Sequence, residues 1–320
     1  MLENFIFSAN AVFPIFLVIA FGYFLRRARF LTTSAVGEMN RLVFTFALPL
    51  LLFRNIYQAE FAALFDLKFI LWILGSTIIC FVLLWIFAEI FCRRQKELTG
   101  SFVQASIRAN YAIVGLPLVA NIMGGYDTGK AALAAAFVVT SFNVQSVIVL
   151  TAKDKDGQGT LKASHYKDMA LSVIKNPSII GIFAGVALNL LNIPLPVVLE
   201  VSVNYMAVLC TPMALLSVGA SIQISELMGI LKPALMGSVL KIIIVPGIFV
   251  TLSVLLGFRG EPLAVLFAIF ANPTAIMSYV MAARMNGHIA ITSAIILITT
   301  AFSSITLTIG VYVLRTLSLI

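Results

Sequence analysis

Apolar runs of roughly twenty residues, separated by short polar stretches, recur along the whole chain. Ten can be drawn, at 5–25, 38–58, 69–91, 102–124, 131–151, 176–191, 200–222, 233–256, 262–283 and 289–314. A helix of ~20 apolar residues is long enough to cross ~30 Å of hydrocarbon. Barrel strands are far shorter, and backbone groups in lipid must be satisfied within the protein. The pattern predicts an all-α membrane protein with ten transmembrane helices. Composition agrees: 61% of the 320 residues are hydrophobic and 11% charged, with mean hydropathy +1.07. No soluble domain of this size could cover so much apolar surface.

The ten runs divide into two sets of five that repeat one another. Pro14, Gly22 and Pro49 recur 163 residues later as Pro177, Gly185 and Pro212, while Asn110 and Gly125 recur at 162 as Asn272 and Gly287. An odd number of spans forces the second copy to enter the bilayer from the opposite side. Two inverted five-helix repeats are therefore expected, 1–151 and 176–320, packed as one membrane unit. Between them, 152–175 is a charged, glycine-containing stretch read as a linker loop. Inverted repeats are the architecture of many secondary transporters, whose substrate site lies at the repeat interface near the midplane.

The net charge of +8 does not point to nucleic acid, because the basic residues fall in loops. Alternate loops carry thirteen and four Lys and Arg, the richer set including Arg26, Arg27, Arg29 and the 152–175 stretch. By the positive-inside rule the richer set is cytoplasmic, so both termini face outward and the setting is a cell (plasma) membrane. The first run lacks a basic n-region and a cleavage site, and reads as a retained helix rather than a signal peptide. Cys80, Cys92 and Cys210 are isolated, and with two histidines in the chain a metal site is not expected. No phosphate-cradling G-x-x-x-x-G-K-[ST], H-E-x-x-H or nucleophile–base arrangement occurs within the spans, so neither ATP-driven work, enzymatic chemistry nor a cofactor is expected.

Candidate chemistry lies in spans four and nine, which hold equivalent places in the two repeats. Span four contains Arg108, Asn110, Gly115 and Pro117; span nine contains Asn272, Pro273 and Thr274. Proline removes a donor and disfavours helix just before it, so breaks are expected at Gly115–Pro117 and at Pro273. Freed backbone groups must face protein or a water-filled cavity, and half-helix N-termini there would attract an anion. The prolines do not align: Pro117 falls opposite Tyr279, and Pro273 opposite Tyr111. Arg108 and Lys241 are basic residues within spans, each able either to hold an anionic substrate or to serve structure, Arg108 by snorkelling and Lys241 by pairing with helix-end carbonyls. Asn143 and Gln145 sit mid-span in the fifth run, two apart and so on different faces. Asn143 reads as an interhelical hydrogen-bonding residue and Gln145 equally as that or as a site residue. Of thirteen acidic residues, only Glu38, Glu89 and Glu200 fall inside runs, each at or near an end. The carboxylate that proton-coupled carriers usually titrate is absent from the middle of the spans.

Four segments in this order resemble the auxin efflux carrier family, which includes plant PIN proteins and bacterial dicarboxylate permeases. They are Phe44–Phe53 with Ala-Leu-Pro, Arg108–Leu118 with Arg-x-Asn then Gly-Leu-Pro-Leu, Thr211–Ser221 with Thr-Pro and Gly-Ala, and Ala271–Ser278 with Asn-Pro-Thr. Lys241 and Pro246 also fit. The resemblance implies ten spans with broken helices crossing at spans four and nine, and carriage of small organic anions such as malate, malonate or an auxin-like acid. It implies that Asn110 and Asn272 flank the substrate carboxylate and that Gln145 lies near it. The function expected is alternating-access transport, as export driven by membrane potential. Proton or sodium coupling is the alternative, and an anion sensor that moves nothing is the alternative from another class. Expected partners are the small anion and membrane lipid, with a homodimer compatible and nucleic acid not expected.

Overall fold

The computed structural model of the chain describes residues 2–58, 66–125, 128–152, 177–221 and 230–320. Among these, structure is helical throughout, apart from one isolated antiparallel bridge between Ala109 and Thr274. In chain order the helices are α1 Leu2–Arg27, α2 Thr33–Tyr57, α3 Leu67–Phe91, α4 Thr99–Ile107, α5 Tyr111–Ile122, α6 Gly129–Ala152, α7 Pro177–Leu190, α8 Val197–Ala220, α9 Leu231–Leu255, α10 Gly260–Ala271, α11 Met277–Arg284 and α12 Ile289–Thr316. Seven of them, α1, α2, α3, α6, α8, α9 and α12, are long and apolar enough to cross a membrane. The expected fourth run is split into α4 and α5, the ninth into α10 and α11, and the sixth holds the shorter α7. The linker assigned to 152–175 lies outside the described residues from 153 onward, as does His165.

Local chemistry sets the helix starts. The Asp66 carboxylate accepts from the Phe69 amide at 3.0 Å to open α3, and the Thr32 hydroxyl accepts from Ala35 N at 3.1 Å to open α2. Three prolines inside apolar helices share one accommodation. Pro49, Pro117 and Pro246 each lie two residues past the end of a five-residue π-helical turn, at Val43–Ala47, Tyr111–Gly115 and Leu240–Ile244. A proline removes one donor and its ring crowds the carbonyl four residues back. Widening the preceding turn relieves that crowding without ending the helix.

Packing between the two halves is reciprocal. Helix α1 lies on α8, and α7 lies on α2. The pairs α3–α6 and α9–α12 form a second matched set, and α3–α4 and α9–α10 a third. Glycines mark the closest approaches. A Cβ on Gly22 would collide with the Leu216 carbonyl, and one on Gly185 would lie 2.8 Å from the Phe53 carbonyl oxygen. Gly22 and Gly185 are 163 residues apart, and so are Phe53 and Leu216. The same interhelical contact thus occurs twice, with the halves exchanged. Gly219 completes the first of these seams against Ile19 and Tyr23. Small residues at such crossings let backbones approach where lipid gives no hydrophobic drive between helices.

Two substitutions separate this seam from ordinary helix surface. Gly219→Val forces α1 off α8 and is expected to destabilise by about 1–3 kcal/mol, the usual cost of overpacking. Gly75→Ala, where a Cβ meets nothing within 4 Å in the middle of α3, does not lower stability. Thermal melting of the detergent-solubilised protein measures both.

Candidate functional site: the helix crossing

Two interrupted helices meet and satisfy each other's backbone. The Asn110 amide donates to the Pro273 carbonyl at 2.8 Å, and the Ala275 amide donates to the Arg108 carbonyl at 3.0 Å. Around this bridge the chain is extended: Arg108 has ψ 99° and Asn272 has ψ 151°, the latter being the conformation a following proline favours. The Thr274 hydroxyl donates to the Ala105 carbonyl at 2.7 Å, and its amide donates to the Thr299 hydroxyl at 3.1 Å. Thr274 therefore ties the end of α4 to α12. The first break is displaced from its expected place. It spans Arg108–Asn110, whereas Gly115 and Pro117 lie inside the resumed helix, where the π-turn absorbs the proline. Because the bridge runs antiparallel, Asn110 lies opposite Pro273 and Arg108 opposite Ala275, so the two asparagines do not face each other across it.

Lys241 lies behind the crossing, 1% exposed, and donates to the Phe270 carbonyl at 3.1 Å and the Ile107 carbonyl at 3.3 Å. These carbonyls belong to the last turns of α10 and α4, the negative ends of the two helix dipoles. Of its two expected roles, the geometry gives Lys241 the helix-end one. One cation neutralises both ends that meet there. Arg108 is 5% exposed and does not reach a surface; it donates to Asn143 Oδ1 at 2.7 Å and Ser146 Oγ at 3.4 Å on α6, and also contacts the Met281 sulfur. Neither cation has an ion pair among the described residues. Each would cost ~2.5–3.5 kcal/mol at the centre of a membrane helix.

The amides are held differently. Asn272 is fully buried, and neither its oxygen nor its nitrogen has a hydrogen-bond partner among the described residues. Its Nδ2 packs so closely on α5 that a Cβ on Gly115 would lie 2.7 Å away. Glycine is required there for the approach, not for a break. Asn110, 5% exposed, opens α5. On α6, which packs on α4, α5 and α10, Gln145 donates to the Ser141 hydroxyl at 2.9 Å while its buried Oε1 has no partner among the described residues, and the Gln104 Oε1 on α4 has none either. A buried amide left unpaired costs about 1–3 kcal/mol, so three of them call for an explanation outside simple packing.

A cavity of about 250 Å³ lies beside α11 and α12. Its lining includes Ile276, the residue after Ala275 of the bridge, and Thr300, which follows the Thr299 that bonds Thr274. Thr33, Asn40, Ser221 and Ser293 line its walls, and Arg26 is its one charged lining residue. The sequence reading used Arg26 for topology alone and missed these hydroxyls. Ser293, Ile296, Leu297 and Thr300 recur on one face of α12 at helical spacing, a signal that could have marked the last span as cavity-lining.

The sequence profile of the membrane transport protein family matches residues 7–311, nearly the whole chain. This chain belongs to that family. A Rhizobium meliloti protein named as a candidate malonate transporter is 28% identical over 312 residues, covering 95% of each chain. A Methanothermobacter thermautotrophicus protein named only as a transporter is 24% identical over 314 residues, covering 94% of this chain and 96% of its own. The resemblance drawn from the sequence motifs is thereby established for the whole length. Family and relatives name transport rather than catalysis, and the apolar helices fit a multi-pass membrane transporter.

For this transporter the crossing generates a stability test. Replacing Lys241 by Met leaves two helix-end carbonyls without their charged donor. A loss on the order of 1.5–3 kcal/mol is expected for a hydrogen bond to a charged group. It is read as a lower melting temperature in detergent, with unaltered melting ruling out the clamp.

Proposed function

We propose that the chain is a secondary carrier of a small organic anion, a carboxylate such as malonate or malate, working by alternating access. The observation that carries this reading is the crossing itself. Two half-helices, α5 and α11, start there, and a helix start carries partial positive charge, although in α11 the Ser278 and Tyr279 amides already donate to the Ala275 and Ile276 carbonyls. Arg108 and Lys241 add buried positive charge close by, and no acidic residue lies in either break or lines the cavity. Asn110, Asn272 and Gln145 supply amide groups, and the Asn272 Nδ2 donor has no partner among the described residues. An anion seated beside it accepts the hydrogen bond that this donor leaves open. In this reading Lys241, Thr274 and Arg108 hold the two breaks in place, and Arg108 also contributes field to the anion. The relative named for malonate makes a short carboxylate the first substrate to test.

The architecture proposed is ten spans in two inverted repeats, 1–151 and 176–320, joined by the 152–175 linker. Reciprocal packing of α1 on α8 and α7 on α2, with the duplicated glycine contacts, supports it. Orientation follows the distribution of basic residues, with both termini outside, the linker in the cytoplasm and the protein in the plasma membrane. The cavity, with Arg26 in its wall, then opens inward. Without a carboxylate in the crossing to titrate, export driven by membrane potential is the coupling proposed. An inside-negative potential supplies ~2.3 kcal/mol per 100 mV for each negative charge leaving.

Reconstituted vesicles test the proposal. Labelled malonate flux is expected in wild type and to rise with a potential that draws the anion across. Asn110→Ala and Asn272→Ala each reduce flux by at least about tenfold while melting stays within a few degrees, since each removes an anion contact. Near-normal flux in both variants overturns the site.

A further inference from the structure

The cavity parts two groups of helices. One wall is built by α1, α2 and α8, with Arg26, Val36, Asn40 and Val218; the other by α11 and α12. On the other side of the membrane, where α1 begins and α12 ends, the same two groups are tied together. Asn121 Nδ2 donates to the Ala11 carbonyl at 2.8 Å, and Asn4 Nδ2 to the Thr316 hydroxyl at 3.3 Å. The Arg315 guanidinium carbon lies 3.6 Å from the centroid of the Phe7 ring. Helix α2 packs on α6, whereas the cavity lies between the equivalent pair, α8 and α12.

Repeat spacing relates the two sides residue by residue. At the offset of 162 that relates Asn110 to Asn272, the cavity residues Ile276, Val280, Ser293, Ile296, Leu297 and Thr300 correspond to Val114, Leu118, Ala131, Ala134, Ala135 and Val138. The first set lines open space. The second is shut, none of its six members being more than 2% exposed. Off this face the contrast disappears: Ala132 and its counterpart Ala294 are both buried, at 0% and 3%. The shut face is also the less polar one. Ser293 and Thr300 correspond to Ala131 and Val138, so it packs without a hydroxyl to satisfy, and its three alanines let a neighbouring helix lie close.

We infer that these buried residues of α5 and α6 line the outward half of the substrate route, between them and α2, and open when the inner cavity closes. Two copies of one fold in opposite orientations can exchange conformations. The face that one copy presents to its cavity is then the face the other presents when the roles reverse. This rests on the carrier and repeat reading above and adds to it the place where the substrate leaves.

Cysteine accessibility tests it. Right-side-out membrane vesicles containing the full chain, with Ala134→Cys, Ala135→Cys or Ala132→Cys, are treated from outside with a membrane-impermeant methanethiosulfonate. The chain's own Cys80, Cys92 and Cys210 are buried. Modification of Ala134→Cys and Ala135→Cys is expected to be at least about tenfold faster than that of Ala132→Cys, because labelling follows the population of the open state. It also stops malonate flux, since the added group wedges the route open. Ser293→Cys, which lines the inner cavity already, is labelled only when the reagent is admitted to the vesicle interior. Where Ala134→Cys fails to fold, Ala135→Cys decides the matter. Equal labelling of the α6 positions, or labelling that leaves flux intact, overturns this inference and leaves the carrier standing. Absence of malonate flux in the untreated wild type overturns both.

Discussion

The structure depends on one exchange of backbone hydrogen bonds, Asn110 to Pro273 and Ala275 to Arg108. A helix that breaks away from water leaves amides and carbonyls exposed, and each costs free energy unless it finds a partner. Here two breaks meet and supply one another. The remaining devices around the crossing follow from that arrangement. Thr274 takes the Ala105 carbonyl, Lys241 takes those of Ile107 and Phe270, and Gly115 gives up its side chain so that Asn272 can lie against α5. None of these residues would have a reason for its identity in a pair of continuous helices.

The crossing sorts charge by helix end. Carbonyl ends of α4 and α10 face Lys241, so their partial negative charge is already matched. Amide ends of α5 and α11 have no comparable acidic partner in the breaks. The result is a region of net positive potential made of fixed dipoles and two buried cations, neither of them ion-paired among the described residues. In the proposed carrier this field is what the anion neutralises. Because its groups are held by protein contacts before the anion arrives, little reorganisation accompanies binding. The same preorganisation suits a site that moves as a unit when the repeats rock.

Much of this was legible in the sequence, and the exceptions have physical causes. Seven long helices coincide with seven of the ten apolar runs, because hydropathy over twenty residues is a strong signal. The interruption at Pro273 could be read from the residue itself. The one at Arg108–Asn110 could not, since no proline or glycine lies there and the break is imposed by pairing with the other half. Pro117 misled for the converse reason: a π-turn accommodates it, as happens before Pro49 and Pro246. Lys241 was recognisable as an unusual buried cation, but its two carbonyl partners come from helices far away in sequence. Asn110 and Asn272 are repeat-equivalent by spacing, but the antiparallel bridge sets Asn110 against Pro273, a pairing that one-dimensional matching cannot see. Asn143 did make the interhelical bond its position suggested, to Arg108.

Solid-state NMR of the reconstituted protein offers the most direct measurement of whether an acid group sits where the two helices part. With malonate labelled by ¹³C at its carboxylates and asparagine by ¹⁵N at its side-chain amide, hydrogen-bonding contact at ~3–4 Å gives strong dipolar dephasing. The account predicts dephasing that weakens in Asn272→Asp, which keeps the shape, removes one of the two amide nitrogens and adds a repelling charge. Bound malonate with no dephasing from any asparagine, or dephasing indifferent to that replacement, would contradict it.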